Sequence, residues 1–401
     1  MKKQFLWIVA AFFFLNVSAQ KFDQLAKTPP MGWNSWNKFG CNVSEKLIMG
    51  IADEMVSNGM KDAGYEYVVI DDCWQVGRDE NGEIVADKER FPHGIKYLAD
   101  YVHSKGLKFG IYSCAGIFTC QGRPGGRGHE FQDARTYASW GVDYLKYDWC
   151  YAITGDKQVS HSSAEHAMTS YSTMRDALYE AGRPVVFSIC DWGFQKAWEW
   201  GKDVGHLWRT YHDIKDQWNS LLEIIDKQKG LERYAGPGHW NDPDMMEVGN
   251  GGMTIEEYKA HFSLWCMLAA PLMAGNDIQN MDTEIKGILT NKEMIALDQD
   301  VLGKQGVCYR DNGDYEIWIK ELSNNERAVC LFNRSDEKKS VQVNFDLLLK
   351  VTRPRGKEEQ YNLGNYIVRD LWEHKELSMK ESTAFVDMPP HSVKVYRYIR
   401  K

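Results

Sequence analysis

No run of apolar residues in this sequence is long enough to span a bilayer comfortably; the best candidate, Phe5–Leu15, is short and no second one follows. CxxC, HExxH and clustered His/Cys spacings are all missing, which leaves a metal site without support. No GxGxxG follows a strand-like run, so a dinucleotide cofactor has no anchor either. Long blocks of like charge are missing as well. A net charge of −8 spread over 401 residues offers no basic face for nucleic-acid phosphates. The expectations are therefore no metal, no cofactor, no nucleic-acid partner and no membrane span.

What is present begins with a processing signal. Lys2 and Lys3 precede the Phe5–Leu15 run, and Val17-Ser18-Ala19 ends it on a small-x-small pattern before Gln20. Residues 1–19 read as a cleaved signal peptide, with a buried N-terminal helix as the alternative. No cysteine follows the cleavage point to carry a lipid. The mature chain should begin near Gln20 and be exported, to the periplasm or beyond the cell. Nine cysteines then permit disulfides, and the odd count leaves at least one thiol unpaired. An apolar content of 43% supports a sizeable core. Fifteen Trp and twenty Tyr offer flat faces that suit sugar rings, although such rings also fill cores.

From Pro30 to about Asp300 one pattern repeats: a short β-rich apolar run, a loop carrying Gly or Asp, then a helical stretch. Strand candidates are Met31–Trp36, Tyr67–Ile70, Lys108–Tyr112, Tyr144–Tyr147, Val185–Ile189, Leu207–Arg209, His239–Asn241 and Leu264–Leu268. Helical periodicity fills Ser44–Asn58, Gly94–Lys105, Phe131–Trp140, Ala164–Ala181 and Trp218–Lys229. Eight alternating units imply a parallel sheet closed into a (β/α)8 TIM barrel over 20–302. After Gly303 the texture changes to short strands and polar turns, among them Tyr315–Lys320, Arg327–Phe332, Ser340–Phe345, Tyr366–Asp370, Ala384–Met388 and Ser392–Tyr398. Residues 303–401 are expected to form a C-terminal antiparallel β-sandwich.

In such a barrel the active site lies at the C-terminal ends of the strands. Those ends carry Trp33 and Trp36, then Asp71-Asp72, Tyr112, Lys146 with Asp148, and Cys190-Asp191-Trp192. Arg209 with Asp213, and Asp242 with Asp244, complete the set. Carboxylates, one Lys, one Arg and aromatic rings converge, without a serine–histidine pair. That composition suits acetal hydrolysis, which needs one carboxylic acid to protonate the leaving oxygen and one carboxylate at the anomeric carbon. In Tyr144-Leu145-Lys146-Tyr147-Asp148, alternation sends residues 144, 146 and 148 to one face. The Lys146 ammonium would keep Asp148 ionised, or the two form a structural ion pair. Arg209 and Asp213, four apart, also fit a surface pair on a helix. Asp71-Asp72 also fit a helix cap; without a DxDxDG pattern, calcium is disfavoured.

The rim segments resemble glycoside hydrolase family 27, the α-galactosidase or melibiase family. The resemblance is carried by Thr28-Pro29-Pro30-Met31-Gly32-Trp33-Asn34-Ser35-Trp36-Asn37, Ile70-Asp71-Asp72-Cys73-Trp74 and Tyr144-Leu145-Lys146-Tyr147-Asp148. Trp208-Arg209 with Asp213, Gly238-His239-Trp240-Asn241-Asp242-Pro243-Asp244-Met245 and Leu302-Gly303-Lys304-Gln305-Gly306 continue it across nearly the whole mature chain. It implies an exo-acting retaining hydrolase of terminal α-D-galactosyl residues, with Asp148 as nucleophile and Asp213 as acid/base. It implies sugar contacts from Trp33, Asp71, Asp72, Tyr112, Lys146, Cys190, Trp192, Arg209 and Met245. It also implies disulfides Cys41–Cys73 and Cys120–Cys150, and an α-galactoside oligosaccharide or polysaccharide as the partner molecule.

Within the family, the bulky Cys190-Asp191-Trp192 loop looks like the galactosidase version rather than one that houses an acetamido group. Two short acids at Asp71 and Asp72 leave room for a hydroxymethyl arm, unlike members preferring arabinopyranose. Rival readings are an α-N-acetylgalactosaminidase, a β-L-arabinopyranosidase, an isomalto-dextranase, or a carbohydrate-binding protein without catalysis. Cys114, Trp149, Asp191, His212 and the short insertion Arg123-Pro124-Gly125-Gly126-Arg127 depart from the family pattern. None removes a catalytic group, and together they are expected to reshape the leaving-group subsites.

Overall fold

The computed structural model describes residues 21–152, 163–351, 361–378 and 382–401; the signal-peptide expectation falls outside them. Eight short parallel strands form one curled sheet: β1 Met31–Asn34, β2 Tyr67–Val69, β3 Lys108–Cys114, β4 Tyr144–Asp148, β5 Val186–Cys190, β6 Leu207–Arg209, β7 Trp240–Asp242 and β8 Leu272–Ala274. They pair in sequence order, with β8 returning to β1. The last seam closes just beyond β7, where the Met246 amide donates to Met273 O at 2.7 Å and the Gly275 amide to Met246 O at 3.0 Å. The barrel is therefore complete.

Strand alternation sorts the side chains into two cores. Tyr67, Val69, Tyr144, Val186, Leu207, Trp240 and Met273 fill the interior. Val68, Phe109, Ile111, Leu145, Phe187, Ile189 and Trp208 face outward beneath the helices. Both faces are buried, as parallel sheets require. The principal helices are α1 Glu45–Ser57, α2 Gly94–Ser104, α3 Glu130–Trp140, α4 Ala164–Glu180, α5 Trp218–Gln228 and α6 Ile255–Leu268. Their starts are locally encoded. Ser44 Oγ accepts from the Leu47 amide at 3.2 Å, and Thr254 with Glu257 forms a reciprocal capping box on α6.

One barrel assignment needs correction. Leu264–Leu268, expected as the eighth strand, is the last turn and a half of α6, and the strand itself is Leu272–Ala274. The helix lies between barrel and sandwich: Ser263 Oγ accepts from Trp372 Nε1 at 2.9 Å and Cys266 O from Lys320 Nζ at 2.8 Å. Every residue from Ala260 to Leu268 is buried, so no polar stripe marks the run as helical.

Among the described residues, eight further strands make the C-terminal module. A six-stranded antiparallel sheet has the spatial order Val307–Asp311, Tyr315–Glu321, Arg327–Asn333, Ser392–Arg400, Tyr366–Asp370, Lys375–Glu376. Lys339–Asn344 pairs with Thr383–Met388 in a second, two-stranded sheet. Between them lies a core that includes Ile317, Val329, Leu331, Val341, Phe345 and Tyr398. The expected strand ending at Phe345 stops one residue earlier, because Asn344 Oδ1 accepts from the Leu347 amide at 2.8 Å and starts a helical turn.

Candidate active site

Asp148 closes β4, in register with Cys114 on β3 and Cys190 on β5. One row deeper lie Tyr112, Lys146 and Ser188. Alternation thus aims Tyr112, Lys146 and Asp148 into the barrel mouth. The Tyr112 hydroxyl donates to Asp148 Oδ2 at 3.0 Å, and the Trp149 amide to Oδ1 at 2.9 Å. Burial pushes the Asp148 carboxyl up to about 7, against the opposing pull of the Lys146 ammonium and with a further push from Asp213. The Lys146 ammonium thus offsets only part of the effect of burial on Asp148.

Lys146 is committed elsewhere. Its Nζ lies 2.8 Å from Asp71 Oδ2 and 5.5 Å above the Tyr112 ring. Asp71 Oδ2 also accepts from Asn34 Nδ2 at 2.9 Å. Asp72 Oδ2 accepts from the Gln121 amide at 3.0 Å. Burial raises the Asp72 pKa, opposed by hydrogen bonds from Thr119 and from the Gln121 amide. The two adjacent acids are therefore fixed from opposite directions, one by β1 and β4, the other by the loop after β3.

Across the mouth, β6 ends at Arg209, which is buried. Its Nη2 lies 2.9 Å from both Asp213 Oδ1 and Asp244 Oδ2. Asp244, at a positive φ of 108°, takes its own amides from neighbours: Ile214 N donates to Oδ2 and Met245 N to Oδ1, each at 2.8 Å. Asp244 thereby ties the loop after β7 to the loop that carries Asp213. That second loop, residues 210–217, contains no helix, so the helical surface pair is ruled out. The Asp213 side chain is 62% exposed. What burial it has raises its pKa, but Arg209, Lys146 and His212 outweigh this and leave it lowered.

These groups line one cavity of about 290 Å³ with Trp36, Trp192, Phe194 and Met245. Trp192 has a φ of 52°, and Asp191 holds the turn by accepting from the Gly193 amide and the Gln195 amide, both at 3.1 Å. The disulfide Cys120–Cys150 forms part of the wall, and Cys41–Cys73 joins the loops after β1 and β2. Cys120, Cys150 and Asp148 bring three donor-type atoms within 4.8 Å of one another. Both sulfurs are already bonded to each other, so this trio has no thiolate to offer a metal.

A family model described as alpha galactosidase A matches residues 28–300, and one for the alpha galactosidase C-terminal beta sandwich domain matches 312–398. The chain belongs to the α-galactosidase A family. It is 52% identical to alpha-galactosidase A of Cellvibrio japonicus, over 99% of each chain. It is 46% identical to the alpha-galactosidase of Cyamopsis tetragonoloba, over 93% of this chain and 86% of the relative. The crystal structure of alpha-galactosidase I from Mortierella vinacea superposes with a TM-score of 0.86 at 38% identity, covering 94% of this chain and 98% of that one.

Of the site residues that family resemblance implies, Asp71, Asp72, Tyr112, Lys146, Asp148, Trp192, Arg209, Asp213 and Met245 come together on the cavity wall. Two do not. Trp33, expected against a sugar face, is fully buried, packs among the helix-side residues and donates from Nε1 to Asn276 O at 2.8 Å. The strand ends at Asn34, and a short helix from Trp36 to Phe39 swings Trp36 over the mouth in its place. Cys190, at 1% exposure, sits behind the wall with its Sγ 3.7 Å from Arg209 Nη1. Asp244, counted among the rim acids but given no role from the sequence, also lies on this wall. The signal was present in the Asp242-Pro243-Asp244 segment, but only the fold shows it bridging Arg209 and the Asp213 loop.

Proposed function

We propose that this chain is an exo-acting, retaining α-galactosidase that removes terminal non-reducing α-D-galactosyl residues by double displacement. The observation that carries the reading is the convergence of Asp148 and Asp213 on one cavity whose far wall is the Lys146-braced Asp71 and Asp72. Asp148 attacks the anomeric carbon and the glycosidic C–O bond breaks. The departing oxygen keeps the electron pair and takes a proton from Asp213. Water then attacks the same carbon, Asp213 accepts its proton, and the bond to Asp148 breaks with its electron pair returning to the carboxylate. Two inversions restore the α configuration.

The surroundings order the two proton affinities the other way, since burial raises Asp148 to about 7 and Arg209 leaves Asp213 lowered. In this reading the pair carries one proton between its two members near neutral pH. Bound substrate shifts it: a leaving group covering Asp213 removes that carboxylate from water, and positive charge growing at the anomeric carbon favours ionised Asp148. Asp71, Asp72, Lys146 and Arg209 hold the galactose hydroxyls, and Trp36 and Trp192 offer apolar faces.

Galactose is favoured over the rival glycones because Asp71 and Asp72 leave room for the hydroxymethyl arm and Trp192 takes up the space an acetamido group needs. Proton NMR of a nitrophenyl α-galactoside digest tests the reading: α-galactose should appear first. First appearance of β-galactose overturns retention. Activity confined to the arabinopyranoside, the N-acetylgalactosaminide or dextran overturns the glycone. Binding without turnover points to a lectin-like role. We also propose export, supported by the two disulfides and the Lys2–Ala19 pattern. N-terminal sequencing of protein from the culture or periplasm should begin near Gln20.

A further inference from the structure

We propose that His391, in the C-terminal sandwich, is a positioning residue for the acid/base: through it the sandwich grips the loop that carries Asp213; this rests on the hydrolase reading above. Residues 210–217 contain no helix, so the place of Asp213 depends on how the two ends of that loop are held. The near end is set by β6 and by Asp244, which accepts the Ile214 amide at 2.8 Å. The far end is Trp218, the first residue of α5, and its indole reaches into the sandwich. It stacks on the His391 ring at 4.5 Å between centroids and 21° between planes, and meets the Phe332 ring edge-on at 5.7 Å and 72°. Phe332 lies on the strand Arg327–Asn333, and His391 immediately precedes Ser392–Arg400, the strand paired with it. The turn that presents the imidazole is fixed from beneath. Asn333 Nδ2 and Ser392 Oγ both donate to Pro389 O at 2.7 Å, and His391 itself has a φ of 53°.

The same histidine reaches the loop by a second route. His391 Nδ1 lies 2.7 Å from Glu257 Oε1, and the other oxygen of Glu257 closes the α6 capping box by accepting the Thr254 amide at 2.7 Å. The next residue, Tyr258, donates its hydroxyl to Asp216 at 2.9 Å, and the Gly252 amide donates to the same carboxylate. Contact there is close: a Cβ on Gly252 would lie 2.1 Å from Asp216 O, so only glycine lets the start of α6 meet the loop. Asp216 and Trp218 are thus held by two chains of contacts that converge on one imidazole. On its outer side His391 Nε2 lies 2.8 Å from Asp336 Oδ1, a carboxylate that stands almost wholly in solvent. An exposed partner of that kind adds little to the grip. The stack and the Glu257 bond carry it.

The test compares methyl α-galactoside, whose leaving oxygen needs a proton, with α-galactosyl fluoride, whose leaving group does not. Both are read as kcat/KM, which reports the steps up to departure of the leaving group. His391→Asn removes the ring and keeps a residue that tolerates the left-handed backbone. On the methyl glycoside it should lower kcat/KM about 10-fold, while the fluoride stays within about twofold. Trp218→Leu, which removes the other half of the stack, should show the same selectivity, and Asp336→Ala should leave both values unchanged. The ratio of the two values in one sample does not depend on how much of the protein is folded, so lost stability alone cannot move it. A ratio equal to that of the wild type in His391→Asn overturns the inference and leaves the sandwich a packing buttress. If His391→Asn gives no folded protein, the ratio in Trp218→Leu decides by the same two outcomes. A wild type that cleaves neither substrate overturns the hydrolase reading itself, and this inference with it.

Discussion

Asp148 ends a five-residue strand, is buried, and receives hydrogen bonds from a phenol and from the next amide, whereas Asp213 stands on an irregular loop, largely exposed, held by one guanidinium. The strand side is rigid and dehydrated, which suits a group that must meet one carbon at one angle. The loop side is wet and reached through a salt bridge, which suits a group that exchanges protons with leaving group and water in turn. Each environment also sets the proton affinity: dehydration raises Asp148, and Arg209 lowers Asp213. The difference shows that two carboxylates on one cavity wall can be given opposite proton affinities by burial on one side and a guanidinium on the other.

The largest expected effect comes from removing the strand-side group. Asp148→Ala should lower kcat/KM by on the order of 10⁵-fold on every α-galactoside, because no other group can form the intermediate. Asp213→Ala should cost about 10²–10⁴-fold where the leaving group needs protonation, and far less on α-galactosyl fluoride, whose leaving group does not. Equal sensitivity to leaving group in both variants breaks the division of labour. Lys146→Met isolates the brace behind the strand side. It leaves Asp71 buried without its charged partner, and should destabilise the fold by about 3–5 kcal/mol in urea unfolding, with activity lost in parallel. A much smaller loss means that Asp71 finds another partner.

The pH profile is the mildest probe. The singly protonated pair is populated between the lowered pKa of Asp213 and the raised value of about 7 at Asp148. As pH falls through the lower value the pair gains a second proton; as pH rises past about 7 it loses its only one. The kcat/KM of the free enzyme should therefore be bell-shaped, with a basic limb near 7 falling about tenfold per unit. A basic limb that stays flat to pH 9 contradicts the shared proton.

Much of this was legible in the chain because each barrel unit announces itself twice, by a β-rich run and by the polar residue that ends it. Lys146 and Asp148 followed from period-two alternation, Asp71 from its place after the second strand, and the family motifs placed Asp213. The misreadings have physical causes. Leu264–Leu268 is apolar on all sides because α6 is sandwiched between two domains, so it carries no periodicity to distinguish helix from buried strand. Trp33 and Trp36 sit three residues apart, and only the end of β1 at Asn34 decides which indole meets the mouth. Arg209 and Asp213 have the spacing of a helical pair, and the absence of a helix there depends on Asp244, thirty-odd residues on, holding the Ile214 amide.

Azide rescue tests the division of labour between Asp148 and Asp213 most directly. With azide present, Asp148→Gly should yield β-galactosyl azide, because azide displaces the leaving group once from the opposite face. Asp213→Gly should yield α-galactosyl azide, because azide then attacks a galactosyl-enzyme already formed on Asp148. The reverse pair of products, or the same anomer from both variants, contradicts the assignment.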